Sequence, residues 1–296
     1  PSSAASDVYK RQEEDSMPQE IINGYNMYYE VHGQGEPLVM IHGGLGGGEG
    51  CATMVENFAS SIPGFQMIFY DRRAAGLSET PQDGYSMANQ VQDMQALLQR
   101  LGVGRAHVLG SSGGGPIALG AALDHPEIVD TLLLVNTMSY ASHPERDARQ
   151  KEMDDLISNE ATYGREGSVE RGLEFRNPGI REDDPGRFQR LKEVNLEKFP
   201  GMIESMKAYL DIGDSIESRL SSLKMPTMVV HGDADTRIPV ECGHRLHEGI
   251  LGSELHVIPG AVHGLTSNEA PKLRGLMLDF FQRTKATGQP SELSTS

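Results

Sequence analysis

Ala106-His107-Val108-Leu109-Gly110-Ser111-Ser112-Gly113-Gly114-Gly115-Pro116-Ile117-Ala118-Leu119 is the stretch that decides the fold. Its first four residues read as a strand, the run from Ser112 to Leu123 reads as a helix, and between them lies G-x-S-x-G, the pattern of a nucleophile elbow. A serine at such a turn is thrust above the sheet, and its neighbours must be tiny for strand and helix to approach each other. Gly110 and Gly114 meet that demand. The helix start aims partial positive charge at an anion forming on Ser112, and the amide of Gly113 is placed to donate to it. The competing reading is a phosphate-binding glycine turn. It lacks both the lysine and the G-x-G-x-x-G phase such loops carry.

Outward from this turn, apolar strands alternate with helical patterns. Upstream, Glu20 to His32 reads as a hairpin about Asn23-Gly24, followed by a strand from Pro37 to Ile41, a strand from Gln66 to Tyr70 and a helix from about Ser86 to Leu101. Downstream, a strand covers Val129 to Val135 and another Pro226 to His231. A helix near Val240 to Ile250, a strand from Leu255 to Ile258 and a helix near Asn268 to Arg283 complete the series. The alternation implies βαβ units and an α/β fold whose sheet begins antiparallel and is otherwise mainly parallel. Between Thr137 and Met225 the chain turns charged and helical in period, with breaks expected at Pro144, Gly164, Pro178, Pro185 and Pro200. The expected division is therefore a core from 17–137 and 225–285, with a helical lid inserted at 138–224. Residues 1–16 read as a non-native or disordered leader, and 286–296, with a run-in from about Thr284, as a disordered tail.

A serine hydroxyl needs a base to take its proton, and a basic imidazole needs a carboxylate to fix its tautomer. His263, in the loop Pro259-Gly260-Ala261-Val262-His263-Gly264 after the last strand, is the candidate base. The loop Gly232-Asp233-Ala234-Asp235 offers two carboxylates; Asp235 has cleared the strand end and is favoured, whereas Asp233 suits a turn cap. Of the ten histidines the other nine read as structural, and the His244/His247 pair lacks a third ligand, so no metal is expected. In His42-Gly43-Gly44-Leu45-Gly46-Gly47-Gly48, a backbone free of Cβ atoms can turn an amide toward the serine, which makes Gly44 the second candidate oxyanion donor.

Composition narrows the partners. Against 42 acidic residues stand 26 Lys and Arg, a net charge of −16, so phosphate backbones and anionic lipid would be repelled. Two cysteines, Cys51 and Cys242, in no metal or redox spacing suit a reducing cytoplasm, and no apolar run approaches the roughly 18 residues a membrane span needs. The expected partner is a small organic substrate, with no nucleic acid, membrane or cofactor; oligomeric state is not legible. Met138, Met153, Met202 and Met206 in a chain without Trp suggest an adaptable apolar pocket, although helical methionines are more often core.

From Met17 to about Arg283 these motifs resemble, in order, the α/β-hydrolase superfamily: His42-Gly43-Gly44, then Asp71-Arg72-Arg73-Ala74-Ala75-Gly76-Leu77-Ser78, the elbow, the Asp235 loop and the His263 loop. The resemblance implies a mostly parallel eight-stranded sheet flanked by helices, a triad of Ser112, Asp235 and His263, and oxyanion donors at Gly44 and Gly113. The chain is similar to the lid-bearing serine hydrolases, which include enol-lactonases, haloperoxidase-like esterases, C–C bond hydrolases and proline iminopeptidases. An ester- or lactone-cleaving enzyme is the expected activity; C–C hydrolysis, proline iminopeptidase-like amide hydrolysis and ligand reception on the same fold are the alternatives. Ala74 departs from the family's usual glycine in D-x-R-G-x-G-x-S, and Leu45 from the proline of the peptidases' H-G-G-P-G. Arg73 is expected to brace a loop.

Overall fold

Runs that are apolar at every position must be covered on both faces, and the computed structural model, which describes residues 19–59, 62–139, 143–212 and 215–288, covers them so. The strands are β1 (Gln19–Ile22), β2 (Tyr25–Gly33), β3 (Glu36–Ile41), β4 (Phe65–Tyr70), β5 (Ala106–Ser111), β6 (Val129–Val135), β7 (Thr227–Gly232) and β8 (Glu254–Ile258). They form one sheet ordered β1-β2-β4-β3-β5-β6-β7-β8. β1 and β2 pair antiparallel, as do β2 and β4; every later pairing is parallel. Asn23 (φ 46°) and Gly24 (φ 81°) make the two-residue turn between β1 and β2, where both positions need a left-handed backbone.

The side-chain period of two sorts each strand between two cores. Val39, Ile41, Val108, Leu132, Leu134 and Val229 face one layer. That layer holds α2 (Met87–Arg100) and α3 (Gly115–Asp124). Leu38, Met40, Leu109, Leu133, Met228 and Val230 face the opposite layer with Phe58, Phe280 and Phe281. Those phenylalanines come from α1 (Ala52–Phe58) and α8 (Ala270–Gly288). Ser86 caps α2 by accepting from the Asn89 amide. α7 (Val240–Gly249) links β7 to β8. The short α1 has no counterpart in the sequence reading, because seven residues emerging from a glycine run carry too little periodicity to register.

Between β6 and β7 the chain leaves the sheet for α4 (His143–Arg176), α5 (Ile180–Asp183) and α6 (Pro185–Leu210). These helices enclose a third apolar cluster of their own, including Leu156, Val169, Leu173, Phe188 and Phe199. Gly164 (φ 73°, ψ 170°) breaks α4, and Pro185 opens α6 where its missing N–H costs nothing. Pro200 corrects the sequence reading: it lies inside α6 instead of ending it. Tertiary packing outweighs the lost hydrogen bond there, because the helix presses onto the core so closely that a Cβ on Gly201 would lie 2.3 Å from Ala74 Cβ. At the other end α8 runs on to Gly288, past the expected start of the tail; the remainder of the tail and the 1–16 leader lie outside the described residues. Among the described residues no helix is long and apolar enough to cross a membrane.

Ala74, where glycine was the expected residue, has φ 53°. An L-residue in that region costs roughly 1–2 kcal/mol, against about 0.4–1 kcal/mol of extra chain entropy that glycine would bring to the unfolded state. Ala74→Gly is therefore expected to raise the unfolding free energy, by up to about 1.5 kcal/mol, and with it the denaturation midpoint. A lowered midpoint in urea unfolding would show that the Ala74 methyl packs more favourably than its backbone is strained.

Candidate active site

β5 ends at Ser111, and Ser112–Gly114 reverse the chain through one tight helical turn into α3. Ser112 has φ 49°, a backbone that a side-chain-bearing residue adopts only when its surroundings insist. They do insist: a Cβ on Gly110 would lie 2.7 Å from Gly115 Cα, and one on Gly114 only 2.3 Å from the Ile41 carbonyl oxygen. The hydroxyl of Thr137, just beyond β6, donates to the Ser112 carbonyl at 2.6 Å and ties the turn to the neighbouring strand.

Two loops at the same sheet edge bring in the imidazole and its carboxylate. His263 Nε2 lies 3.1 Å from Ser112 Oγ, and His263 Nδ1 lies 2.7 Å from Asp235 Oδ2. A carboxylate only accepts, so Nδ1 carries the proton and Nε2 is left to accept from the serine hydroxyl. Asp235 is buried and takes four hydrogen bonds: Oδ2 from His263 and from Asn136 Nδ2 (2.7 Å), Oδ1 from the amides of Arg237 and Ile238 (both 2.9 Å). Burial alone would push its pKa up, but the His263 contact and the two amides outweigh it and hold the carboxyl below its ordinary value. Asp233 faces elsewhere and accepts from the Gly260 amide at 2.6 Å, joining the two loops. The neighbouring His231 is kept neutral by burial and bonds to the Ile238 carbonyl at 2.8 Å, leaving the carboxylate to His263.

The glycine loop after β3 is held by groups the sequence did not single out. Arg72, 3% exposed, donates through Nη2 to the carbonyls of Gly43 (2.9 Å) and Gly44 (2.6 Å) and through Nη1 to Tyr209 Oη (2.5 Å). Tyr209 in turn donates to the Gly113 carbonyl. Gly44 (φ 85°) packs directly on the elbow: a Cβ on Gly113 would lie 2.1 Å from the Gly44 carbonyl oxygen. The amide of Arg72 donates to His42 Nε2 at 3.1 Å, which places the His42 proton on Nδ1, bonded to Gly43 O at 2.7 Å. Burial and the nearby Arg72 charge push the His42 pKa down to about 3, so it stays neutral. Arg73 points away, forked on Asp93 at 2.7 and 2.9 Å.

Ser112, His263 and the glycine loop open into a cavity of about 1020 Å³. Met138, Met202 and Met206 line it, whereas Met153 packs inside the helical insertion. Asn136 is the principal residue that sequence reasoning missed. Its only local signal is an amide directly after an apolar strand, at the edge where the other loops converge. At φ 44° it turns its side chain onto Asp235 and toward the Val262 carbonyl (3.4 Å).

Residues 36–269 match the family model for the alpha/beta hydrolase fold. The chain belongs to that family. It is 30% identical over 277 residues, 90% of this chain and 99% of the other, to the protein provisionally named carbamate hydrolase RutD from Variovorax paradoxus (strain S110). Est816, whose structure is titled as that of an N-acyl homoserine lactone degrading enzyme, is 26% identical with a TM-score of 0.71, covering 89% of this chain and 100% of that one. An esterase from Exiguobacterium antarcticum shares the fold at TM-score 0.74 and 23% identity, over 89% of this chain and 98% of its own.

Deleting the Asn136 side chain leaves the Asp235 carboxylate one donor short, which is expected to cost about 1–3 kcal/mol. Asn136→Gly is the cleaner variant because glycine tolerates the positive φ. The sign with pH follows from the depressed carboxyl: its contribution is fully present above the ordinary value of about 4 and is lost as pH falls through the folded value. Denaturation of both proteins at pH 7 and pH 3 is thus expected to show a deficit that shrinks on acidification, and a constant deficit would place the effect elsewhere.

Proposed function

We propose that the protein is a serine hydrolase that cleaves a carboxylic ester or lactone of a small organic substrate through an acyl-enzyme. The observation that carries this reading is the unbroken hydrogen-bond chain from Ser112 through His263 to Asp235 at 3.1 and 2.7 Å. In the first half-reaction Ser112 Oγ attacks the acyl carbon while His263 Nε2 takes its proton, and Asp235 stabilises the imidazolium so formed. The amides of Gly44 and Gly113 receive the developing oxyanion, each such donor contributing about 2.7–4 kcal/mol of transition-state stabilisation. The imidazolium then protonates the leaving oxygen, and water repeats the sequence on the acyl-enzyme to release the acid.

Three features support this over ligand reception on an inert scaffold: the strained serine turn and the buried guanidinium behind the glycine loop are costly to maintain unless chemistry uses them, and the four hydrogen bonds on Asp235 hold it as an anion against His263. In this reading the helices α4 to α6 act as the lid, and Met202 and Met206 form its apolar underside. An oxygen leaving group is favoured because an alkoxide demands less of the imidazolium as acid than an amine or a carbanion does. Cys51 and Cys242, buried and in no disulfide with each other, suit a reducing compartment, the cytoplasm.

Ser112→Ala is expected to lower turnover of short-chain nitrophenyl esters by at least about 10³-fold while preserving the fold. A fluorescent phosphonate should label the native chain and not the variant. Retention of full esterase turnover in the variant would overturn the reading, and a panel of esters, lactones, carbamates and proline amides ranks the bond cleaved.

A further inference from the structure

The cavity wall beside the Asp235 loop carries more cationic donors than the protein itself uses. Arg149 and Arg176, both on α4, converge on Glu152: Arg149 Nη1 lies 2.6 Å from Oε2, and Arg176 Nη1 lies 3.5 Å from Oε1. Arg149 Nη2 reaches across to the Arg237 backbone carbonyl at 3.3 Å, and the Arg237 guanidinium lies close enough to feel the charges of both other arginines. All three arginines and Glu152 line the cavity that holds Ser112 and His263.

Two carboxylates, Glu152 and Asp235, therefore answer three positive charges and leave one uncompensated. Asp235, also near Arg237, is already committed to His263, Asn136 and two backbone amides. Arg149 Nε is buried without a partner, and the Arg237 guanidinium donates to no group among the described residues. Arg187 on the same cavity differs, since Glu49 meets it at 3.1 Å. Burial, reinforced by the mutual repulsion of the three cations, pushes the Arg237 guanidinium pKa down, as it does that of Arg176. Half-buried like charges with open donors are disfavoured by desolvation and by mutual repulsion unless something neutralises them. The chain as a whole carries −16, so its long-range field does not recruit an anion; the attraction has to be local.

We propose that Arg149, Arg176 and Arg237 form an anion subsite that selects substrates carrying a carboxylate remote from the bond cleaved at Ser112. This rests on the hydrolase reading and names its substrate class: monoesters or lactones of organic acids. Planar guanidinium forks match a carboxylate in bidentate fashion. The methionines that line the same cavity suit the hydrocarbon that joins that carboxylate to the reacting carbonyl.

The test is calorimetric binding to the Ser112→Ala protein, which separates the subsite from turnover. The probes are succinate, glutarate, adipate and pimelate, each against the monoacid of equal chain length, and inorganic phosphate. One diacid of the series is expected to bind at least ten-fold more tightly than its monoacid. That advantage should fall at least ten-fold in Ser112→Ala with Arg237→Gln, a change that removes no hydrogen bond of the fold, and again with Arg176→Gln. Equal binding of diacids and monoacids, an advantage unmoved by Arg237→Gln, or tighter binding of phosphate than of any diacid would overturn the proposal. In the native enzyme, the ratio of kcat/KM for the monomethyl to the dimethyl ester of the best diacid is expected to drop ten-fold in Arg237→Gln. Absence of ester turnover beside intact diacid binding would fail the hydrolase reading alone.

Discussion

The site depends on one backbone conformation, the positive φ of Ser112 between β5 and α3. A left-handed serine is unfavourable in isolation, so the fold has to over-determine it. It does so by making every alternative collide. Gly110 and Gly114 leave no room for a Cβ against α3 and β3, and Thr137 clamps the Ser112 carbonyl. The strained turn is what lifts the hydroxyl out of the sheet plane to the edge where the β7 and β8 loops arrive. With a relaxed turn, the 3.1 Å approach to His263 would have no partner to approach.

Around that turn, charge is arranged in a graded way. Asp235 is fixed as an anion by donors on both oxygens, and the same donors fix the orientation of the imidazole it holds. His42 and His231, the two other imidazoles at this edge, are both driven neutral by burial, so neither competes for the carboxylate. Arg72 adds a buried positive charge behind the carbonyls of Gly43 and Gly44 and directs its guanidinium away from the hydrogen-bond chain of Ser112, His263 and Asp235. Its cost is moderated by Tyr209, which passes the hydrogen bond on to Gly113.

What could be read from the sequence was whatever is decided locally. The elbow is legible because steric exclusion acts between residues four or five apart, and the strands because full burial demands unbroken apolar runs. His263 and Asp235 could be picked out because each follows such a strand. Asn136, Arg72 and Tyr209 escaped because each acts on a group far away in the chain: 99 residues from Asn136 to Asp235, and 137 between Arg72 and Tyr209. Pro200 was misread for the related reason that packing of α6 on Ala74 overrides a local helix-breaking signal. The cluster of Arg149, Arg176 and Arg237 was equally invisible, since its three members come from two turns of one broken helix and a distant loop.

The division between the sheet core and the helical insertion also divides the work. Ser112, His263, Asp235 and the glycine loop all belong to the core, while Met202, Met206, Arg149 and Arg176 belong to the insertion. The two bodies have separate apolar clusters, yet α6 touches the core at each sensitive place. Asn195 accepts from the Gly48 amide at 2.9 Å, Lys198 donates to the Ser78 carbonyl at 2.7 Å, and Tyr209 bonds the elbow itself. A Cβ on Gly46 would lie 2.9 Å from Met202 Cα, so the glycine loop and α6 fit only in one relative position. Substitutions on the cavity face of α4 can therefore alter which molecules fit the cavity while leaving Ser112 in place. A shift of α6, by contrast, would move the glycine loop and the serine turn together, so the helix that shapes the pocket also sets the geometry around Ser112.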